Sequence, residues 1–246
     1  MLPVLEKEKN VQLMGLGGIH QFQGIFRLNH AFPPFDNPAV RKVMWKLVDQ
    51  DATLTAIGVP GAVSLQVVPV LLDVRHAAHH RCRCRRGKFD LAQPRPSSRR
   101  PGYKGEPVII LEVSGSISQT GLDACWCRTC ATSALPSSRS RATGRRCWRG
   151  APRRTSWSMF PVYSNGTDMY SPLTHFYVAA TCNDFPGWSC DDRIPALIKT
   201  FTRAATGEER KRIAADIQAA AYDLTPSVMW GQFTIPARLP RQTSRA

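Results

Sequence analysis

Cysteine and histidine are the residues of this sequence that could bind a metal ion, because they cluster. Six of the eight cysteines lie between residues 82 and 147. The closest groups are His79, His80, Cys82 and Cys84, and Cys125, Cys127 and Cys130. Structural zinc sites mostly use cysteine pairs separated by about two to four residues, and adjacent cysteines have that spacing here at Cys127 and Cys130. Zinc binding is therefore one hypothesis, and we otherwise expect no cofactor.

Patterns that would indicate catalysis do not stand out in the chain. The sequence has no Gly-x-Ser-x-Gly motif, no His-Glu-x-x-His motif and no evident pair of carboxylates. These arrangements supply the activated serine, the metal-bound water and the acid and base of common hydrolases. We therefore do not expect an enzyme.

Basic charge is concentrated in one stretch. The formal net charge is +15, which favours a nucleic-acid or anionic partner, because Lys and Arg release counterions from phosphates. From Arg75 to Arg154, however, the basic residues are nearly all Arg, whereas both flanks mix both signs of charge. A basic, Cys-rich protein that binds nucleic acid or zinc remains an alternative, but the excess charge does not characterise the whole chain.

The first flank has the pattern of a strand followed by two helices. Ile25 to Asn29 predicts a short strand, and a Pro-rich loop leads to Asp36 or Asn37, either of which could cap a helix that starts at Pro38. Asp49 to Ile57 predicts a second short helix, ended by Gly58.

The second flank is equally regular. Phe160 to Tyr163 predicts a buried strand, two helices are expected at Ile194 to Ala205 and Gly207 to Tyr222, and Ser227 to Ile235 predicts a closing strand. Thr206 with Glu209 forms a capping box for the second helix. Helices and strands that alternate indicate an α/β fold.

These regular segments resemble one family. Three blocks carry the resemblance: Arg27 to Asn29 with Pro33-Pro34-Phe35-Asp36-Asn37-Pro38-Ala39-Val40-Arg41; Gly102-Tyr103-Lys104-Gly105-Glu106-Pro107-Val108; and Trp157-Ser158-Met159-Phe160 with Asn165-Gly166-Thr167-Asp168. In this order they are similar to the dipeptide- and oligopeptide-binding solute-binding proteins of ABC importers, of which the chain resembles the C-terminal half.

The resemblance implies a two-lobed, periplasmic-binding-protein-like α/β fold, incomplete here. It places residues 1–28 in the tail of lobe one, 29–228 in lobe two and 229–246 in a strand that returns to lobe one. It also implies a peptide or related small solute as ligand, an ABC permease and ATPase as membrane partners, and no nucleic acid. A periplasmic or cell-surface location follows, although the first residues, Met1 to Lys9, contain no hydrophobic signal region.

The resemblance also suggests site residues. Asp168 occupies the place of the family's aspartate that meets the solute's ammonium group, with Tyr163 as the aromatic neighbour and Asn165 in the same loop. The alternative is that Asp168 caps a turn beside Asn165. Similar proteins have a cysteine pair at the positions of Cys182 and Cys190, which implies a disulfide.

The middle of the chain lacks periodicity, apart from Tyr103 to Val113. Pro69 to Arg85 read one base later, and Leu122 to Thr155 read two bases later, can encode sequence like that of the family. The second shifted reading gives a helix, a strand and a helix. We therefore interpret residues 69–101 and 113–155 as translated out of frame, and the chain as a truncated or frameshifted copy that can have lost its function.

Overall fold

The structure is a computed structural model that describes residue 8 and residues 11–14, 20–58, 103–114, 136–143, 154–183, 185–234 and 237–240. Four α-helices, one short 3₁₀ helix at Phe176–Val178 and seven strands lie in these ranges. The strands are β1 Val11–Met14, β2 Phe22–Leu28, β3 Val108–Ser114, β4 Ser137–Thr143, β5 Met159–Asn165, β6 Ser227–Phe233 and β7 Ala237–Pro240. The helices are α1 Pro38–Leu47, α2 Gln50–Ala56, α3 Arg193–Arg203 and α4 Gly207–Leu224.

Five strands form one mixed sheet in the order β4-β3-β5-β2-β6. The strands β5, β2 and β6 are antiparallel neighbours, with β6 at one edge, and β3 runs parallel to both β4 and β5. The strands β1 and β7 form a separate antiparallel pair. Segments from both ends of the chain therefore meet twice, once in the large sheet and once in the pair. The α/β class predicted from the sequence is confirmed.

The helices start where the capping residues predict. The Asn37 side chain accepts a hydrogen bond from the backbone N–H of Ala39, and Pro38 occupies the first turn of α1. Thr206 accepts from the N–H of Glu209 at 3.2 Å, while the Glu209 carboxylate accepts from the N–H of Ala205. Each of these bonds satisfies a backbone donor that the helix itself leaves unpaired. The helix predictions are confirmed within a few residues at each end.

Each face of the sheet has its own apolar core. One face packs against α1 and α2, with Phe26, Leu28 and Trp230 fully buried. The other face packs against α3, α4 and the segment that follows β5, with Ile25 and Tyr177 fully buried. Successive side chains of a strand point to opposite faces, so β2 supplies both cores alternately.

The strand β4 is one of those that the sequence prediction missed, because that prediction expects no regular element in the stretch that contains β4. The polar sequence of β4 has no strand periodicity, but its backbone pairs in parallel register with β3 from Val108↔Ser137 to Ser114↔Thr143. Ladder hydrogen bonds come from backbone groups and do not require a side-chain pattern. The shifted reading of this stretch does include a strand.

The lobe boundaries stay a prediction. The boundary at residue 28 coincides with the end of β2, but the boundary between residues 228 and 229 lies inside β6, and both strands belong to the large sheet. None of the described helices is both long and apolar enough to span a membrane.

Candidate functional site

The predicted site lies at one end of three adjacent strands, where β2 begins, β5 and β6 end, and a turn follows β5. Phe22 at the start of β2 pairs with Asn165 at the end of β5 and with Phe233 at the end of β6. The N–H of Gly166 donates to the carbonyl of Gln21 at 2.7 Å, which fixes the turn after β5 against the chain that enters β2. Loop residues at such an edge can contact a solute without disturbing either core.

Asp168 lies in this turn with an exposed carboxylate. Its Oδ2 accepts a hydrogen bond from Ser164 Oγ at 2.9 Å. The side chain that closes the turn is that of Asn165, whose Oδ1 accepts from both the N–H and the hydroxyl of Thr167. The turn is thus stabilised by Asn165, and the Asp168 carboxylate keeps acceptor capacity for a cationic group.

Tyr163 lies on the opposite side of the sheet from the Asp168 contact. Its ring packs edge-on against Phe22 at 5.7 Å and Phe233 at 5.5 Å between ring centroids, within the core formed by α1 and α2. Ser164, the next residue, points to the other face and bonds Asp168. The predicted pair of Tyr163 and Asp168 is therefore placed at one edge but on different faces.

A row of polar side chains crosses the face of the sheet on which Ser164 contacts Asp168. Ser164, Gln23 and Gln232 are register partners on three adjacent strands, and both glutamines are buried. Tyr177 is fully buried nearby, and burial, helped by the negative charge of Asp168, raises the pKa of its hydroxyl far above the ordinary value. Tyr177 therefore remains a neutral phenol, and this face carries hydrogen-bonding groups beneath the turn.

A buried arginine joins this face to a neighbouring loop. Arg27, the penultimate residue of β2, is fully buried and donates to the carbonyls of Pro186 at 2.8 Å and Tyr177 at 3.1 Å and to the hydroxyl of Ser189 at 2.9 Å. Its guanidinium also stacks over the Phe185 ring, 5.0 Å from the centroid. A planar group with five donors suits several backbone carbonyls at once. Arg27 thus holds the 177–189 segment on β2.

The same loop is closed by a disulfide. Cys182 and Cys190 are joined, with their Cα atoms 4.4 Å apart, and Thr181 forms an isolated antiparallel bridge with Cys190. The loop between the two cysteines contains two of the acceptors for Arg27, the Pro186 carbonyl and the Ser189 hydroxyl. The disulfide therefore constrains the segment that satisfies a buried charge.

Two of the sequence blocks that carry the family resemblance meet at the other edge of the sheet. The loop after β2 and the turn before β3 line a surface concavity of about 290 Å³, which contains Pro34, Asp36, Asn37, Val40, Tyr103, Lys104 and Glu106. Tyr103 Oη donates to the Glu106 carbonyl at 2.7 Å, and the Lys104 N–H donates to Glu106 Oε2. These two hydrogen bonds hold the turn of the second block, and both blocks contribute to the lining of the concavity.

Sequence reasoning did not identify Arg27 or Tyr177 as important. Arg27 was part of a matching block, and an arginine between apolar strand residues is a signal of a buried, hydrogen-bonded cation. Tyr177 lies where the sequence shows no periodicity. Over the ranges the structure describes, no group of three or more His, Cys, Asp or Glu residues could hold a metal. The histidines and cysteines of the zinc hypothesis lie outside the described residues.

No family model matches the chain, but one curated protein and several solved structures do. The chain is 26% identical over 250 residues to the peptide ABC transporter periplasmic-binding protein y4tO of Sinorhizobium fredii, covering 96% of this chain and 46% of that protein. The chain thus spans about half the length of this curated relative.

The chain also covers about half the length of the solved structures that it resembles. The substrate-binding protein CtaP of Listeria monocytogenes matches with a TM-score of 0.75 at 12% identity, over 96% of this chain and 48% of that one. A dipeptide-binding protein of Pseudoalteromonas in complex with Met-Leu matches with a TM-score of 0.74 at 13% identity, over 98% and 48%. DppA of Helicobacter pylori with the peptide STSA gives 0.73 at 15% identity, over 96% and 46%.

The fold is that of the two-lobed periplasmic binding proteins, of which this chain matches about half. Within that class, the sequence and the fold together relate the chain to the peptide-type solute-binding proteins of ABC transporters, and the resemblance found in the sequence blocks is confirmed. The relatives are solute-binding proteins rather than enzymes.

Proposed function

We propose that this chain is part of an extracytoplasmic solute-binding component of an ABC importer, and that it binds a peptide or a related small solute through Asp168. The observation that carries the proposal is the exposed Asp168 carboxylate at the edge where β2, β5 and β6 end, in a chain related to peptide-type binding proteins. The bound solute would be delivered to a membrane permease driven by an ATPase, from the periplasm or the cell surface.

The chemistry of the turn suits an ammonium group. One Asp168 oxygen is held by Ser164, which fixes the direction of the carboxylate, and the other, which accepts no side-chain hydrogen bond from the described residues, can accept from the solute. The oxygen of the Asn165 amide is used by the turn, so its NH₂ group is left to donate to a solute carbonyl. Tyr163 supports the edge from the opposite face.

The test is the binding of dipeptides to the purified chain and to Asp168→Asn, measured by calorimetry or ligand-observed NMR. Asn keeps the shape of the side chain but removes the charge that offsets desolvation of the ammonium. The bound solute would cover Asp168, and truncating one partner of a charge pair that is buried in a complex costs roughly 2 to 5 kcal/mol, so affinity should fall by at least about thirtyfold. Asp216→Asn, at an exposed aspartate on α4, is the matched control and should bind like the wild type. Unchanged affinity in Asp168→Asn would remove Asp168 from the site.

We also propose that residues 69–101 and 113–155 are encoded out of frame, which makes the chain a damaged copy. The support is compositional, since the surplus of Arg and the clustered cysteines lie in the middle of the chain and not in its flanks. The nucleotide sequence tests this proposal. Compensating single-base insertions or deletions near Val67, Arg85, Glu112 and Thr155 are expected, whereas a continuous frame with biased third codon positions would refute it.

A further inference from the structure

Large apolar side chains are exposed next to the proposed ammonium site. Among the described residues, the large hydrophobic side chains with substantial exposure are Met14 at 42%, Tyr170 at 48% and Leu173 at 54%. Two of the three follow Asp168 within five residues. Single exposed apolar residues are common on proteins, but apolar residues grouped beside a charged group in a loop indicate a binding surface.

The local fold holds these two side chains outward. The buried side chain of Met169 anchors the segment on one side, and that of Tyr177 anchors it on the other. Between them, the N–H groups of Thr174 and His175 both donate to the carbonyl of Ser171 at 3.1 Å, which closes a turn. The segment between Met169 and Tyr177 is thus fixed to the core at both of its ends.

We infer that Tyr170 and Leu173 are specificity-determining residues that contact the side chain of the solute's amino-terminal residue and select solutes in which this side chain is apolar. The inference rests on the proposed function of Asp168 as the ammonium-binding group. It adds a substrate class, namely peptides with a large aliphatic or aromatic first residue.

The distances suit such a ligand. Tyr170 is two residues from Asp168, so their Cα atoms are at most about 7 Å apart. The ammonium and the side chain of an amino-terminal residue branch from the same carbon atom. A ligand that places its ammonium at Asp168 therefore directs its first side chain to a surface only a few ångströms away. The charge of Asp168 fixes which end of the peptide lies there.

The test measures the affinity of the full chain for alanyl-alanine and leucyl-alanine by ligand-observed NMR. Each buried methylene changes affinity by about fourfold, so partial burial of the larger side chain should favour leucyl-alanine by about tenfold. Tyr170→Ser and Leu173→Ser should each reduce this preference to about threefold or less. Both side chains are exposed, so we expect little effect on folding, and a thermal melt of each variant checks this.

Met14→Ser is the matched control, because Met14 is exposed to a similar extent but lies on β1. It should retain the tenfold preference. The inference is overturned if the preference is unchanged in the Tyr170→Ser, Leu173→Ser double variant, or if Met14→Ser reduces it equally. It is also overturned if the two substitutions abolish self-association of the chain and leave dipeptide affinity unchanged. Asp168→Asn separates the two proposals. If this variant loses affinity for both dipeptides, the ammonium site is supported. If the serine variants then keep the preference for leucyl-alanine, the role of Tyr170 and Leu173 is refuted while the ammonium site stands.

Discussion

Three basic side chains near the end of β2 show how burial sets the charge of individual residues. Arg27 and Arg41 are buried and donate to backbone carbonyls, and burial lowers the pKa of Arg41 to about 10, so both stay charged. His30 lies beside them, and burial, with repulsion from both guanidinium groups, lowers its pKa from 6.5 to about 3. The neutral imidazole donates from Nε2 to the Thr225 carbonyl at 3.1 Å.

This histidine should make the chain sensitive to acid. Between pH 6.5 and 3 the unfolded chain binds a proton at His30 that the folded chain does not, so the free energy of unfolding falls as the pH falls. The slope is about 1.4 kcal/mol per pH unit, which amounts to about 2 kcal/mol between pH 7 and pH 5. His30→Gln keeps a donor for Thr225 and should lose this part of the pH dependence in urea titrations.

The control for this measurement is His20→Gln, at an exposed histidine that precedes β2. It should keep the pH dependence of the wild type. An identical slope in the wild type and in His30→Gln would mean that the folded chain accepts the proton at His30 without penalty.

At the scale of elements, close packing between neighbouring strands restricts one position of β2. Gly24 lies directly against the indole ring of Trp230 on β6, so a side chain at residue 24 would overlap a fully buried ring. Trp230 also stacks on Phe233, with 5.6 Å between ring centroids. The bulge between β2 and β6 occurs at this point, after Gly24. The absence of a side chain at Gly24 therefore allows the aromatic core to reach the strand.

Gly24→Ala should destabilise the sheet, because the ring cannot move away without disturbing its neighbours. Overpacking of this kind costs about 1 to 3 kcal/mol or more, measured as the free energy of unfolding. Gly207→Ala, at the start of α4, is the matched control, because its new methyl group would meet no atom within 4 Å. That variant should be neutral to within about 0.5 kcal/mol. Equal stability of both variants would show that Trp230 is loosely held.

The loop closed by Cys182 and Cys190 has a measurable role. Its residues supply the Pro186 carbonyl and the Ser189 hydroxyl to Arg27. Reduction should lower the free energy of unfolding by about 2 to 3 kcal/mol from chain entropy alone. Hydrogen exchange should increase between residues 177 and 190 before it increases in β2. Uniform exchange on reduction would contradict a local role, and a Cys182→Ser, Cys190→Ser variant should behave like the reduced protein.

At the scale of the whole molecule, the sequence predicted where helices and strands occur better than it predicted which strands and side chains contact one another. Caps such as Asn37 and Thr206 act within a few residues, so the helix starts could be predicted from local chemistry. The strand β4 depends on a partner 29 residues away, which local pattern does not reveal. For the site, Asp168 and Asn165 were placed in one turn by sequence alone. The face of the sheet that each side chain occupies required the register of β5, which separates Tyr163 from Asp168.

The order of strands in the sheet has a consequence for synthesis. The strand β2 is central, but its partners β5 and β6 begin at residues 159 and 227. At translation rates of about 5 to 20 residues per second, the ribosome needs roughly 10 to 40 seconds between completing β2 and starting β6. Until β6 is made, Phe26 and Leu28 lack the core residues that β6 supplies and Arg27 lacks the Ser227 hydroxyl, so this part of the nascent chain stays available to chaperones during that interval.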